Sequence, residues 1–404
     1  MANVSSSNGI EKYPKLRFPN FTDPWKTTQL RDLFSKNTQK NSKGTVTNVI
    51  SNSAKNGLIP QKDYFDKDIA NADNTAGYYI ISKDDFVYNP RKSTDAPYGP
   101  ISRYTYDEDG IVSPLYLCFR GNNDVNPEFF ERFFKSSVWH RYIYMSGDSG
   151  ARHDRVSIKD EIFFEMPIHM PNNEEQKKIA AFLSLIEQKI ECQSALVENL
   201  KKYKRGVLQK LFAPKNVKWK RQRFGDFITE HSEKTSETNI YPICSLTVED
   251  GIILKPERYY REFLITKEGD SYKILRDGWF AYNPMNAHIG AIAPNKLGKS
   301  VSVSGYYNIF SVNRSETNTF WEEFLKCYSM LCYYKVIATG SLIEKQRVHY
   351  SQFVDIELPL PSIEEQIKIS SLLDALNRKL NNAESTYSNL KKIKAGILQK
   401  IFVE

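Results

Sequence analysis

PNNEEQKKIAAFLSLIEQKIECQSALVENLKKYKRGVLQKLF, from Pro171 to Phe212, returns as PSIEEQIKISSLLDALNRKLNNAESTYSNLKKIKAGILQKIF, from Pro361 to Phe402. The two align without a gap at an offset of 190, and 18 of 42 positions are identical. Identity of this density over one ungapped span marks an internal duplication. Each copy reads as one long helix. Proline opens it and then disappears. Asn172 with Glu175, and Ser362 with Glu365, have the spacing of a capping box, in which a side-chain acceptor and a returning carboxylate satisfy the first free amides. The LKKYKRG and LKKIKAG ends place lysines at the negative end of the helix dipole. Between the ends runs a seam with alternating steps of four and three, the coiled-coil period. In the first copy it is Ile179, Leu183, Ile186, Ile190, Gln193, Val197, Leu200, Lys204, Val207 and Leu211. In the second it is Ile369, Leu373, Leu376, Leu380, Ala383, Tyr387, Leu390, Lys394, Ile397 and Ile401. Both seams break at the same place, at Lys204 and Lys394, and the natural partner of each seam is the other. The expectation is a two-helix antiparallel coiled coil of roughly 60 Å, from about 40 residues at about 1.5 Å each.

The segments before the helices are also copies, more diverged. Trp25-Lys26 leading to Asp32 echoes Trp219-Lys220 leading to Asp226. Phe86-Val87-Tyr88-Asn89-Pro90 echoes Phe280-Ala281-Tyr282-Asn283-Pro284, and Phe129 to Lys135 echoes Phe320 to Lys326. Arg155-Val156 echoes Arg347-Val348, and the prolines before each long helix recur at their own spacing. The chain is therefore globule, helix, globule, helix. Each globule reads as mixed. Tyr78–Ile81, Ile111 to Phe119, Ile252–Leu254, Val301–Val303 and Tyr306–Val312 have strand character. FFERFFKSSVWHRYI and FWEEFLKCYSMLCYYKVI read as amphipathic helices whose aromatic faces belong to a core rather than to a base-stacking platform. The fold class is α+β: two similar mixed α/β domains separated by two long antiparallel helices, with a pseudo-two-fold internal repeat. The expected boundaries are a disordered N-terminus over 1–13, a domain over 14–170, a helix over 171–213, a second domain over 214–360 and a second helix over 361–404.

Net charge over the 404 residues is +8, which favours a polyanionic partner over an acidic substrate or a membrane. Five scattered cysteines, Cys118, Cys192, Cys244, Cys327 and Cys332, form no CxxC pair, and the six histidines stand apart from one another. Reduced thiols and no zinc are expected. The N-terminus has no apolar core of the signal-peptide kind, and no run is long and apolar enough for a bilayer, so a cytoplasmic protein is expected.

Catalytic signatures are missing. The sequence holds no GxxxxGK[ST] loop, GxSxG elbow, HExxH pair or EF-hand loop. Tyr88-Asn89-Pro90-Arg91 and Tyr282-Asn283-Pro284-Met285 resemble in part the Asn/Asp-Pro-Pro-aromatic tetrad of amino-methyltransferases. They lack the second proline and the aromatic, and a glycine-rich cofactor turn is absent, so they read as turn initiators at strand ends. Glu174-Glu175 and Glu364-Glu365 are explained by the helix dipole. No catalytic residue, metal ligand or cofactor is assigned.

The layout, with the proline-x-x-EEQ-x-K-I opening of each helix, resembles the specificity subunit of type I restriction–modification systems over nearly the whole chain. The resemblance implies two target-recognition domains, each reading one half of a split site on double-stranded DNA. It also implies two helical spacers that hold two copies of an adenine-N6 methyltransferase subunit and, through them, the motor/endonuclease subunits. The chain itself would be non-catalytic and have no membrane partner. No base-contacting residue carries over, because the domains vary within the family. Candidates for DNA contact therefore come from chemistry: Arg152, His153 and Arg155 in one loop and Lys345, Gln346 and Arg347 in the other, types that hydrogen-bond base edges. Arg91, Lys92, Arg103, Lys296 and Lys299 lie near other turns and suit phosphates. Lys201, Lys202, Lys204, Lys391, Lys392 and Lys394 are better explained by dipole and solvation or by a partner interface. A coiled-coil adaptor with no nucleic-acid role, and a fused restriction–methylation enzyme, are the alternatives. The first predicts no salt-dependent DNA binding, and the second needs a cofactor motif that the chain does not have.

Overall fold

The computed structural model describes residues 11–63, 75–147, 154–213, 219–255, 272–340 and 346–403. The chain divides into two compact units. The first is Met1–Gln193 with Thr386–Glu404, and the second is Ser194–Ser385. Four helices matter below: α1 (Pro127–Lys135), α2 (Asn173–Leu211), α3 (Asn318–Phe324) and α4 (Ile363–Ile401). The long helices α2 and α4 are each 39 residues.

In the first unit a four-stranded antiparallel sheet runs in the order Phe34–Lys36, Leu117–Gly121, Phe86–Tyr88, Ile101–Arg103. Phe86–Tyr88 and the first three residues of Leu117–Gly121 are buried throughout, because both faces are covered there. Phe86, Tyr88 and Phe119 point into a large core with α1 and the start of α2, whereas Val87 and Cys118 point into a smaller core with Ile50, Leu58, Ile81 and Val112. The strand period of two thus sorts neighbouring residues into different cores. The second unit repeats this. Its sheet order is Ile228–His231, Asn308–Val312, Phe280–Tyr282, Ile292–Pro294. Phe280, Tyr282 and Phe310 face the large core, and Ala281 and Ile309 the small one. In both units the chain entering the domain pairs with the chain leaving it: Lys26–Gln29 with Pro167–Met170, and Lys220–Arg223 with Glu357–Leu360.

Both seams are used, and antiparallel. In the first unit Ile179, Leu183 and Ile186 from the start of α2 share a core with Ile397 and Ile401 from the end of α4. In the second, Ile369, Leu373 and Leu376 from the start of α4 share a core with Val207 and Leu211 from the end of α2. Phe402 packs edge-on against Phe129 and Phe133 at 5.4 and 5.7 Å. Phe212 packs the same way against Phe324 and Phe320 at 5.4 and 6.0 Å. Mid-seam Ile190, Leu200, Leu380, Tyr387 and Leu390 are half-buried, while Val197 and Ala383 are buried.

Several details differ from the sequence expectations. Each aromatic helix is two helices. FFERFFKSSVWHRYI breaks after Lys135 because Ser136 turns extended and its hydroxyl donates to the Phe133 carbonyl, and a second helix restarts at His140–Ser146. The partner stretch breaks likewise at Cys327, giving α3 and Tyr328–Ile337. Ile111 to Phe119 is two strands with a turn between. A short helix, Asp160–Phe164 or Tyr350–Val354, stands between each loop and its last strand. Only half of each capping box forms. The Glu175 amide donates to the Asn172 side chain (2.9 Å) and that of Glu365 to Ser362 (3.3 Å). The carboxylates turn elsewhere: buried Glu175 takes a bidentate hydrogen bond from Arg17 at 2.8 Å, and Glu365 accepts from the Trp219 indole. The invariant element of both openings is the next residue. Gln176 and Gln366 are buried, and each donates to the carbonyl of the opening proline, Pro171 or Pro361, at 3.1 Å. Of the tail expected over 1–13, residues 1–10 lie outside the described residues, while Lys12 already bridges Trp25.

Candidate nucleic-acid interface

Two hairpins and two proline turns position the candidate residues. In the first unit the hairpin Ile50–Ser53 with Gly57–Pro60 turns through Ala54-Lys55-Asn56. Gly57 sits at φ +68°, where a side chain is strained. Asn52 ties this hairpin to the sheet. Its buried amide donates to the carbonyls of Val87 (2.8 Å) and Pro100 (3.2 Å), and its side-chain oxygen accepts from Ser102 (2.8 Å). After Phe86–Tyr88, Asn89 forms an Asx turn by accepting from the Arg91 amide (3.1 Å) and also donates to the Asn52 carbonyl (3.2 Å). Gly99, at φ +82°, lets the neighbouring loop pass against this turn, since a Cβ there would run into the Asn89 carbonyl oxygen.

The proline turn then receives the far loop. The Val156 amide donates to the Pro90 carbonyl (2.9 Å), the Lys92 amide donates to that of Asp154 (2.8 Å), and Arg91 pairs with Arg155 in an isolated antiparallel bridge. Two arginines far apart in sequence are thereby set side by side. A cleft of about 500 Å³ opens beside them, lined among others by Asn52, Lys55, Asn89, Arg91, Lys92 and Tyr116. Burial pushes the Tyr116 phenol up, against smaller opposing effects of a hydrogen bond with the Asn52 backbone and of the positive charges on Arg91 and Arg155. Among the described residues no carboxylate forms an ion pair with Arg91 or Lys92, and Arg155 has only Asp154, at 3.9 Å.

The second unit keeps the frame and changes the chemistry. Its hairpin, Cys244–Thr247 with Gly251–Leu254, has the same register, and Gly251 also sits at φ +68°. The turn is Val248-Glu249-Asp250 where the first has Ala54-Lys55-Asn56. Asn283 makes the same Asx turn, accepting from the Met285 amide (3.1 Å), and the Val348 amide donates to Pro284 as Val156 does to Pro90 (3.0 Å). Met285 replaces Arg91. Exposed Arg347 exchanges two backbone hydrogen bonds with Thr339, both 2.9 Å, and Gln346 is half-buried beside it.

The remaining candidates scatter. Arg152, His153 and Lys345 lie outside the described residues. Arg103 is taken up internally: its guanidinium is held by Asp84 (2.7 Å) and Glu131 (2.9 Å) and its side chain is only 15% exposed, so it serves the domain rather than a phosphate. Lys296 is ion-paired with Glu322. Lys299 is exposed on the turn between Ile292–Pro294 and Val301–Val303, away from the Pro284 turn in sequence. Three of the six lysines assigned to dipole and solvation or to a partner interface have ion-pair partners inside the chain: Lys201 with Glu384 (3.0 Å), Lys204 with Glu323 (2.6 Å) and Lys394 with Glu187 (2.7 Å). Sequence reading missed Asn52, Lys55 and Tyr116. The signal for the first two was present, as Asn56-Gly57 and Asp250-Gly251 are hairpin turn dipeptides at matching places in the repeat.

Residues 22–202 match the family model described as the type I restriction modification DNA specificity domain. This first part of the chain thus carries a type I restriction–modification DNA specificity domain. Specificity chains of this family recognise DNA and are not themselves enzymes. Solved structures share the fold over almost the full length. The specificity subunit from Thermoanaerobacter tengcongensis is 16% identical with a TM-score of 0.53, covering 94% of this chain and 96% of that one. The type I restriction–modification S subunit from M. genitalium is 14% identical with a TM-score of 0.55, covering 97% and 99%. A chain from a study of complex assembly and conformational transition of the type I system is 14% identical with a TM-score of 0.54, covering 94% and 97%. Among the described residues no cluster of potential metal ligands occurs, and no helix is long and apolar enough to cross a membrane.

Proposed function

We propose that the specificity chain reads a bipartite, asymmetric site on double-stranded DNA. The domain over 14–170 reads one half and the domain over 214–360 the other. The helices over 171–213 and 361–404 act as the spacer and as the platform for two methyltransferase subunits that methylate adenine N6. The motor/endonuclease subunits join through these, in the cytoplasm. What carries the reading is one frame with two chemistries: proline turns with matching hydrogen bonds and hairpins of the same register carry Lys55, Asn56 and Arg91 in one unit and Glu249, Asp250 and Met285 in the other. A scaffold kept while its exposed loops change charge is what two different half-sites require. Arg91, Lys92 and Arg155 are the leading contacts in the first domain, with Lys55 added from the hairpin. Gln346, Arg347 and Lys299 are those of the second.

The test is adenine methylation mapped genome-wide with and without the gene. It should reveal one split motif. Replacing 214–360 by the same segment of a relative should then change one half and leave the other. An uninterrupted motif, or a change in both halves, overturns the reading.

A further inference from the structure

The two domains are attached to their helices by different chemistry, at positions that correspond across the repeat. In the first unit Arg132, on α1, is buried and donates to Glu187 on α2 at 2.7 Å, and Glu187 also takes Lys394 from α4 at 2.7 Å. The anion of this triad belongs to the long helix. In the second unit the residue aligned with Arg132 is Glu323, and the one aligned with Glu187 is Asn377. There Lys204, the counterpart of Lys394, pairs directly with Glu323 at 2.6 Å, so the anion belongs to the domain helix. All these carboxylates and cations are at most about a quarter exposed, so a mismatch could not relax into water at no cost.

The first turn of the domain helix differs in the same sense. The Phe129 amide is capped by Asn126 from its own helix (2.8 Å). The corresponding Phe320 amide is capped by Ser370 from α4 (3.0 Å), and neighbouring Thr319 donates to Asp374 (2.7 Å). Their counterparts on α2 are Ala180 and Ser184, and the counterpart of Asn126 is Thr317, whose hydroxyl donates to Arg314 instead. Positions 180, 184 and 187, like 370, 374 and 377, lie on one helix face.

We propose that these three positions form a keyed socket at the start of each long helix, matched to the domain that precedes it: Ala-Ser-Glu accepts an arginine-bearing, self-capped domain helix, and Ser-Asp-Asn accepts a glutamate-bearing, uncapped one. A domain moved to the other socket meets the wrong charge. Glu323 would face Glu187, and Arg132, held at 2.9 Å by Glu131 of its own helix, would face Lys204 with no carboxylate at position 377 to take the place of Glu187. The socket thus fixes which recognition domain sits at which position, independently of what DNA either reads.

A double-mutant cycle in the full chain tests this without moving a domain. E323R and N377E should each lower the melting temperature, by roughly 3–8 °C for a unit of this size, because each leaves like charges together. The E323R/N377E double variant rebuilds the Arg–Glu–Lys triad of the first unit and should recover at least half of the summed loss. Strict additivity of the two singles overturns the proposal. A chimera with 14–170 and 214–360 exchanged supplies the second measurement. It should melt lower with the native sockets than with A180S/S184D/E187N and S370A/D374S/N377E introduced together. Equal melting of the two chimeras also overturns it.

Discussion

Gly99 shows how much one residue can hold in place. Its left-handed backbone and its contact with the Asn89 carbonyl leave no room for a methyl group, so Gly99→Ala should destabilise the first unit by about 1–3 kcal/mol. Thermal melting of the variant checks this, and no shift would mean the turn adapts. Arg91 and Lys92 act differently. They carry charge on an exposed turn that backbone hydrogen bonds already hold, so R91A/K92A should leave melting within about 0.5 kcal/mol of the parent. It should, however, flatten the dependence of DNA affinity on log salt by about 1–2 units. Titrations at several salt concentrations read the slope, and an unchanged slope removes both residues from the interface. Titrating groups add a pH dependence. Burial lowers His140, His169 and His231 below 6.5. The unfolded chain therefore binds more protons than the folded one below that pH, and stability falls on acidification. Burial pushes the Glu131 carboxyl up, but Lys135, Arg132 and Arg103 outweigh it and hold the group below 4.5. Its contribution is present above that pH and is lost as pH falls through the lower folded value. Melting temperature should thus decline in two stages, from about pH 6.5 and again below about 4.5. A flat profile from 7 to 5 contradicts the histidine part.

The long helices are legible residue by residue because their seam period differs from every other pattern in the chain. Leu183 and Leu373 are fully buried at matched seam positions. Leu183→Ala and Leu373→Ala should each cost about 2–5 kcal/mol, whereas Leu185→Ala, at 65% exposed, should cost under about 0.5 kcal/mol. Chemical denaturation of the three variants separates them, and similar costs for all three would mean the seam is misassigned. Shorter elements were less legible. The break at Ser136 depends on a hydroxyl turning back on a carbonyl, and the aromatic run around it fits one helix as well as two. The capping boxes were half right for a related reason: spacing showed which amide would be capped, but Arg17, far away in sequence, decided where the Glu175 carboxylate would go.

At the scale of the molecule, the chain is sequential in sequence but interleaved in space. Residues 386–404 belong to the unit that holds the first domain, and Ile397, Ile401 and Phe402 complete its core. Deleting everything after Ser385 should therefore destabilise the first domain, distant in sequence, and spare the second. Hydrogen exchange should show protection lost at Leu117–Gly121 and kept at Asn308–Val312, and the reverse pattern would refute the interleaving. By itself the sequence determined the duplication, the helix period and the proline turns, because each is written in local spacing or in self-comparison, whereas the expected antiparallel direction of the seams rests on the cores that join the start of each long helix to the end of the other. Only the tertiary structure decided that Arg91 stands beside Arg155, that Arg103 is spent on Asp84 and Glu131, and that Lys204 and Lys394 find carboxylates within the chain. Those outcomes depend on which distant side chain comes within a few ångströms, and a side chain's type states what it can bind without stating what it meets.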